Sequence, residues 1–203
     1  VWQAQAEMLV ARLSRFRLRA DVALTTTELR VSAGWDGAPL PSGLAAADPR
    51  LPEAGWRALT DTTDAPDQHA AYEAHRIGLG LPEPIDCIAE QTLLLEADFD
   101  WLHGVSWTKG CYMGQELTAR THYRALLRRR LVPVRADSAL PAFGTPITSD
   151  GKPVGELRST AGTIGLAFVR REAWDAPLTC GDTSLRVQLP AWFEEKPQFE
   201  EKP

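Results

Sequence analysis

The stretch Lys109-Gly110-Cys111-Tyr112-Met113-Gly114-Gln115-Glu116 places a thiol, an ammonium, two glycines and an adjacent amide and carboxylate within eight residues. Such a set suits a working thiolate. Lys109 supplies positive charge, and Gln115 to Arg120 are mostly good helix formers, so a helix beginning after Gly114 would set Cys111 near its positive end. Both features favour the nucleophilic, ligand-forming state of a cysteine. Gly110 and Gly114 permit positive φ or the close approach of a flat ligand. Gln115 and Glu116 can bond a hydrogen-bonding heterocycle or satisfy the open amides of the helix start. The same residue types also fit a tight turn around an inert structural cysteine.

Three further groups could join this site. Glu96 closes the apolar run Thr92-Leu93-Leu94-Leu95, where a carboxylate either faces a pocket and accepts two bonds from an amidine edge or ends a strand in solvent. Arg120 and Arg124 lie one helical turn apart, a spacing that could clamp carboxylates; Arg120 is equally placed to pair with Glu116. A metal scaffold of Cys111 with His103 or His122 lacks an obvious set of four ligands. His69 and His75 are six residues apart, about 600° of helical rotation, and so fall on opposite faces of their helix. Asp98 and Asp100 read as solvated loop residues.

The string K-G-C-Y-x-G-Q-E, followed here by Ala119-Arg120, resembles the signature of the YgfZ-type folate-binding proteins, relatives of the glycine-cleavage T-protein with mitochondrial counterparts. The resemblance extends through Gly104-Val105-Ser106-Trp107-Thr108 and, more loosely, from Trp2 to about Trp192. It implies a tetrahydrofolate-binding factor that supports assembly or repair of iron–sulfur proteins, particularly four-iron four-sulfur enzymes. By the same resemblance Cys111 is the essential thiol, Lys109 its cationic neighbour, and Tyr112, Gln115, Glu116 and Arg120 shape the folate site. Glu96 matches the glutamate that contacts the folate ring in T-protein relatives. The implied partners are iron–sulfur assembly proteins and client enzymes, in a bacterial cytoplasm or, in a eukaryote, the mitochondrial matrix. A one-carbon enzyme, an aminomethyltransferase or demethylase, is the alternative. T-protein chemistry relies on an aspartate from the N-terminal part of its fold, which this chain does not contain.

These residues need a scaffold. The chain has 203 residues, 44 % hydrophobic and 24 % charged, sufficient for one large or two small cores. A net charge of -5 argues against a nucleic-acid surface over the whole molecule. Arg128-Arg129-Arg130 leads directly into Leu131-Val132-Pro133-Val134, so alternate arginines are expected to coat a strand. No run of about 18 apolar residues suggests a membrane span. Cys87, Cys111 and Cys180 are far apart and odd in number, which suits a reducing compartment.

The chain opens at Val1 inside a helix pattern, with Trp2, Ala6, Leu9, Leu13 and Phe16 on one stripe, which predicts further chain upstream. Arg12, Arg15 and Arg19 read as its solvated flank. Short strands are expected at 21–24 and 29–33, pairing with each other, then a surface connection over 34–52, a strand at 55–59 and a helix over 66–77. From Leu126 onward apolar runs are cut by Asp150-Gly151, Ala161-Gly162 and Gly181-Asp182, the pattern of five or six antiparallel strands in a small barrel or sandwich. Cys180, beside a turn, reads as structural. The expected class is α+β: a T-protein-like folate-binding domain over 1–123, its N-terminal part missing, a C-terminal antiparallel β-barrel over 124–192, and a disordered tail over 193–203 where the segment Phe-Glu-Glu-Lys-Pro repeats.

Overall fold

A computed structural model of the chain describes residues 3–61, 67–124 and 127–193, with the side chains of 3 and 4 left aside. Most of the tail, and Trp2 and Pro66 of the expected helices, lie outside the described residues. Two sheets organise the rest. The first has three antiparallel strands, β1 (Arg30–Gly34), β2 (Ala45–Ala47) and β3 (Trp56–Thr60), with β3 in the centre. Helix α1 (Gln3–Ser14) precedes it, and α2 (His69–Gly78) follows.

This pairing departs from the sequence reading. Residues 21–24 form no strand, and the segment expected over 29–33 pairs with β3 instead, in the register Arg30↔Thr60 to Gly34↔Trp56. A strand needs a partner ladder, and β3 takes β1 on one edge and β2 on the other. The Gly- and Pro-rich connection therefore contains a short strand of three alanines, which periodicity over so few residues does not reveal. The β1 turn is closed by Trp56, whose Nε1 donates to Ala38 O at 3.0 Å.

The second sheet is a closed antiparallel barrel. Its strands are β4 (Arg129–Ala136), β5 (Pro146–Ser149), β6 (Lys152–Ala161), β7 (Ile164–Arg170), β8 (Leu178–Cys180) and β9 (Thr183–Val187), in the order β4-β7-β6-β5-β8-β9, with β9 returning to β4. The Asp150-Gly151 turn has φ of 50° and 73°, the paired positive values that suit the twist of a two-residue hairpin. Register shifts between Leu157 and Thr160 and between Ile147 and Thr148 supply the bends that closure requires. Val132, Val134, Ile147, Leu157, Ala167, Val169, Leu178 and Cys180 fill the interior, and Trp101, Trp192 and Phe193 pack against them.

The outer face of the barrel is where the rest of the chain attaches. Ile77 of α2, fully buried, packs on Leu131, Leu166 and Phe168. Beside it Arg76, also fully buried, donates from Nη1 to Asp86 Oδ2 at 2.8 Å and to Leu81 O at 3.1 Å. Its Nη2 donates to Ser159 Oγ of β6 at 2.8 Å, and that hydroxyl donates on to Asp86 Oδ1 at 2.5 Å. Glu73 takes Arg76 Nε at 2.7 Å. One arginine thus ties α2, the turn Pro84–Asp86 and the barrel together. Because both ions are dry, removing one strands the other: Asp86→Ala is expected to destabilise the fold by about 3–5 kcal/mol in urea unfolding. A loss under about 1 kcal/mol would show that Glu73 alone satisfies the guanidinium.

Candidate functional site

Helix α3 (Gln115–Tyr123) begins directly after Gly114, which sits at the N-cap with φ 90°. That left-handed backbone is open to glycine at little cost. Gln115 Oε1 accepts from the Tyr112 amide at 3.3 Å, so the motif glutamine ties the loop to the helix start rather than facing outward alone. Before it, residues 104–113 form an irregular loop in which the Lys109 amide donates to Ser106 Oγ at 3.3 Å. Lys109 Nζ lies over the Tyr112 ring, 5.0 Å from its centroid. Cys111 and Met113 are exposed, Tyr112 is half-buried, and Glu116 and Arg120 are both exposed. Among the described residues no ion pair joins Glu116 to Arg120.

The three cysteines differ sharply in setting. Cys180 is buried in the barrel, and burial pushes its thiol up. Burial and then the neighbouring Asp86 carboxylate push Cys87 up to about 11. Cys111 alone among them is exposed. Reaction with a partner or ligand is therefore open to the motif thiol.

Glu96 lies elsewhere than at a strand end. It closes the 3-10 turn Leu94–Ala97, where its Oε2 accepts from the Leu93 amide at 3.2 Å. Arg129 at the start of β4 grips both oxygens, Nε to Oε1 at 2.8 Å and Nη2 to Oε2 at 3.1 Å. A pterin edge approaching Glu96 would have to displace Arg129. The residues expected to hold folate thus fit in part: Arg120 is exposed, with no ion pair to another described residue, whereas the Glu96 carboxylate is already matched.

Behind the loop lies a cluster that the sequence reading misplaced. Asp98 and Asp100 are not solvated. Asp98 is fully buried, and both carboxylates face Arg130, itself 4 % exposed, with Nη1 2.7 Å from Asp98 Oδ1 and Nη2 3.0 Å from Asp100 Oδ2. The guanidinium also donates to Leu95 O at 2.9 Å and stacks 3.8 Å from the Trp101 ring centroid. Arg130 consequently turns inward, while Arg128 is exposed and Arg129 lies over Phe168. That an arginine at the start of β4 would be buried required knowing where two aspartates 32 and 30 residues away in the chain would fold.

Trp107 stacks on His122 of α3, ring centroids 3.9 Å apart and planes at 24°. Burial holds His122 below its ordinary 6.5, with Asp100 pulling it up and Arg130 pushing it down. The metal reading of His103 or His122 with Cys111 gains no ligand set: among the described residues no three His, Cys, Asp or Glu side chains are grouped to hold an ion. His75, on α2, stacks on Trp35 at 5.1 Å. No described helix is long and apolar enough to cross a membrane.

Asp98 gives a pH test. Its burial outweighs the charge and hydrogen bond of Arg130, the Asp100 carboxylate adds to the effect, and the carboxyl is held well above its ordinary 3.8. A raised value means that stability from the protonated form is complete below 3.8 and is lost as pH rises towards the folded-state value. Asp98→Asn removes that loss, so the variant should gain on the wild type as the pH is raised above 3.8 in urea unfolding. A difference that stays constant with pH would contradict the assignment.

Comparison with known proteins agrees with this geometry. Residues 128–195 match the C-terminal β-barrel domain of CAF17, the region that holds all six barrel strands. The chain is 34 % identical to the human mitochondrial iron–sulfur cluster assembly factor IBA57, over 91 % of this chain and 61 % of that protein. It is 39 % identical to the mouse factor over 64 % of this chain and 40 % of that protein. The homologue from Mycosarcoma maydis is also 39 % identical, over 62 % of this chain and 35 % of its own length. The chain thus spans less than two thirds of each of these relatives. Residues 128–195 thus carry a CAF17-type C-terminal β-barrel, and the chain is similar to the IBA57 homologues of the YgfZ/CAF17 family.

Proposed function

We propose that this protein serves the assembly or repair of iron–sulfur proteins, four-iron four-sulfur enzymes in particular, with Cys111 as the working thiol. The observation that carries the reading is the contrast among the cysteines: two are shielded and pushed towards the protonated thiol, while the motif cysteine stands exposed on a loop. The kinship with proteins named as iron–sulfur cluster assembly factors supports the same role. An exposed thiol, once deprotonated, can hold a metal–sulfur unit transiently, or attack a partner's disulfide so that a mixed disulfide forms and the other sulfur leaves as a thiolate. The partners on this reading are assembly proteins and client iron–sulfur enzymes, in the mitochondrial matrix if the source is eukaryotic and in the cytoplasm if it is bacterial.

Tetrahydrofolate binding is the second element of the proposal. Arg120 would take a glutamyl carboxylate, and Tyr112, Gln115 and Glu116 would border the ring; Glu96 would take part only by exchanging Arg129. Folate supplies a bound one-carbon carrier there, and no transfer step is assigned to the chain.

The test uses the complete gene product in a strain lacking its own copy. Cys111→Ala should reduce four-iron four-sulfur enzyme activity to the level of the empty strain, whereas Cys87→Ala should keep it. Calorimetry on the same proteins should give tetrahydrofolate binding that weakens about tenfold in Arg120→Ala, the loss of one charge-assisted contact, and survives Cys111→Ala. Full activity in Cys111→Ala would overturn the thiol reading. Unaltered folate affinity in Arg120→Ala would remove that residue from the site.

A further inference from the structure

The loop that carries Cys111 has little regular structure of its own, so its position must come from side chains that hold it to the fold. At its beginning the Gly104 amide donates to Phe99 O at 2.7 Å, and Phe99 follows directly on the Asp98 that Arg130 grips. At its end Gly114 and Gln115 fasten it to α3. Between these points one side chain reaches back. Trp107, four residues before Cys111, lies flat on His122, and Tyr123 meets the pair edge-on at 6.2 Å from Trp107 and 5.0 Å from His122.

His122 lies within electrostatic reach of the buried cluster. Asp100 and Arg130 both act on it electrostatically, and Thr121, next to it on α3, is buried with its hydroxyl bonded to Leu117 O at 2.8 Å. The ring that Trp107 meets is thus carried on a helix whose adjoining residue, Thr121, is buried.

We propose that Trp107 and His122 are positioning residues for the motif thiol: their stack clamps the middle of the 104–113 loop to α3 and fixes where Cys111 is presented. The clamp rests on the reading of Cys111 as the working thiol for its biological meaning, though not for its physical existence. Without it, the hydrogen bonds and ring contacts that remain among the described residues lie at the loop's two ends and within the loop itself, so Lys109 and Cys111 gain freedom to move. Neither residue of the stack needs to touch substrate. Their contribution is to limit the loop to one arrangement.

Brief native trypsin treatment, read by mass spectrometry, measures opening of the loop at the Lys109–Gly110 bond, because cleavage follows the population of the locally open form. His122→Ala should raise cleavage after Lys109 at least about tenfold, while His122→Phe, which keeps a flat ring under Trp107, should stay within about twofold of wild type. Thermal unfolding of the same proteins reports whether the barrel is intact. Should His122→Ala fail to fold, Trp107→Ala removes the stack from the partly exposed side and carries the same expectation. In the deletion strain, both loosened variants should lose four-iron enzyme activity and His122→Phe should restore it. The proposal is overturned if the alanine variants cleave no faster after Lys109, if His122→Phe behaves as they do, or if they keep full activity where Cys111→Ala has none. Failure of the thiol reading would show separately, as full activity in Cys111→Ala, and would leave the proteolysis result untouched.

Discussion

The contact on which the structure most depends is the dry ion pair of Arg76 and Asp86, completed by Ser159 on the barrel. A buried pair of this kind is weak evidence of net stability, since desolvation consumes much of the attraction. Its consequence here is geometric. The guanidinium has fixed directions, and Asp86, Glu73, the Leu81 carbonyl and Ser159 occupy them, so α2 and the Pro84–Asp86 turn meet the barrel in one orientation. The segment that runs on to Glu96 and Asp98 then starts from a fixed point.

A second arginine repeats the arrangement closer to the site. Arg130, on β4, gathers Asp98, Asp100, the Leu95 carbonyl and the face of Trp101. Arg129, its neighbour in sequence, points the other way and holds Glu96. Successive residues of one strand thus fix the two sides of the same short turn, an effect of the two-residue side-chain period. The motif loop departs from this turn and returns to α3 packed beside it. A firm base with an open tip leaves the Cys111 thiol accessible while its surroundings stay in place.

The motif itself was the most legible part of the sequence, because Lys109 to Glu116 packs distinctive residue types into a short span whose local conformation, a glycine turn into a helix, follows from those types alone. The barrel was legible for a related reason: Asp150-Gly151 and Gly181-Asp182 are local turn signals, and the segments between them include apolar runs of strand length. The three-stranded sheet was less so, since the choice of β3 over residues 21–24 as the partner of β1 is a competition between distant segments. Least legible were the charged residues that fold inward. Asp98, Asp100 and Arg130 look like solvated charges one at a time, and only their convergence makes burial tolerable. The Trp107–His122 contact was hidden in the same way, its two halves separated by the motif.

The central claim is that this fold presents one cysteine and withholds two. Site-resolved alkylation of the native protein with iodoacetamide, mapped peptide by peptide, tests it most directly. The account predicts that Cys111 is modified fully under native conditions while Cys87 and Cys180 are modified only after denaturation. Native labelling of Cys87 at the rate of Cys111 would contradict it, and so would a Cys111 that resists the reagent until the protein unfolds.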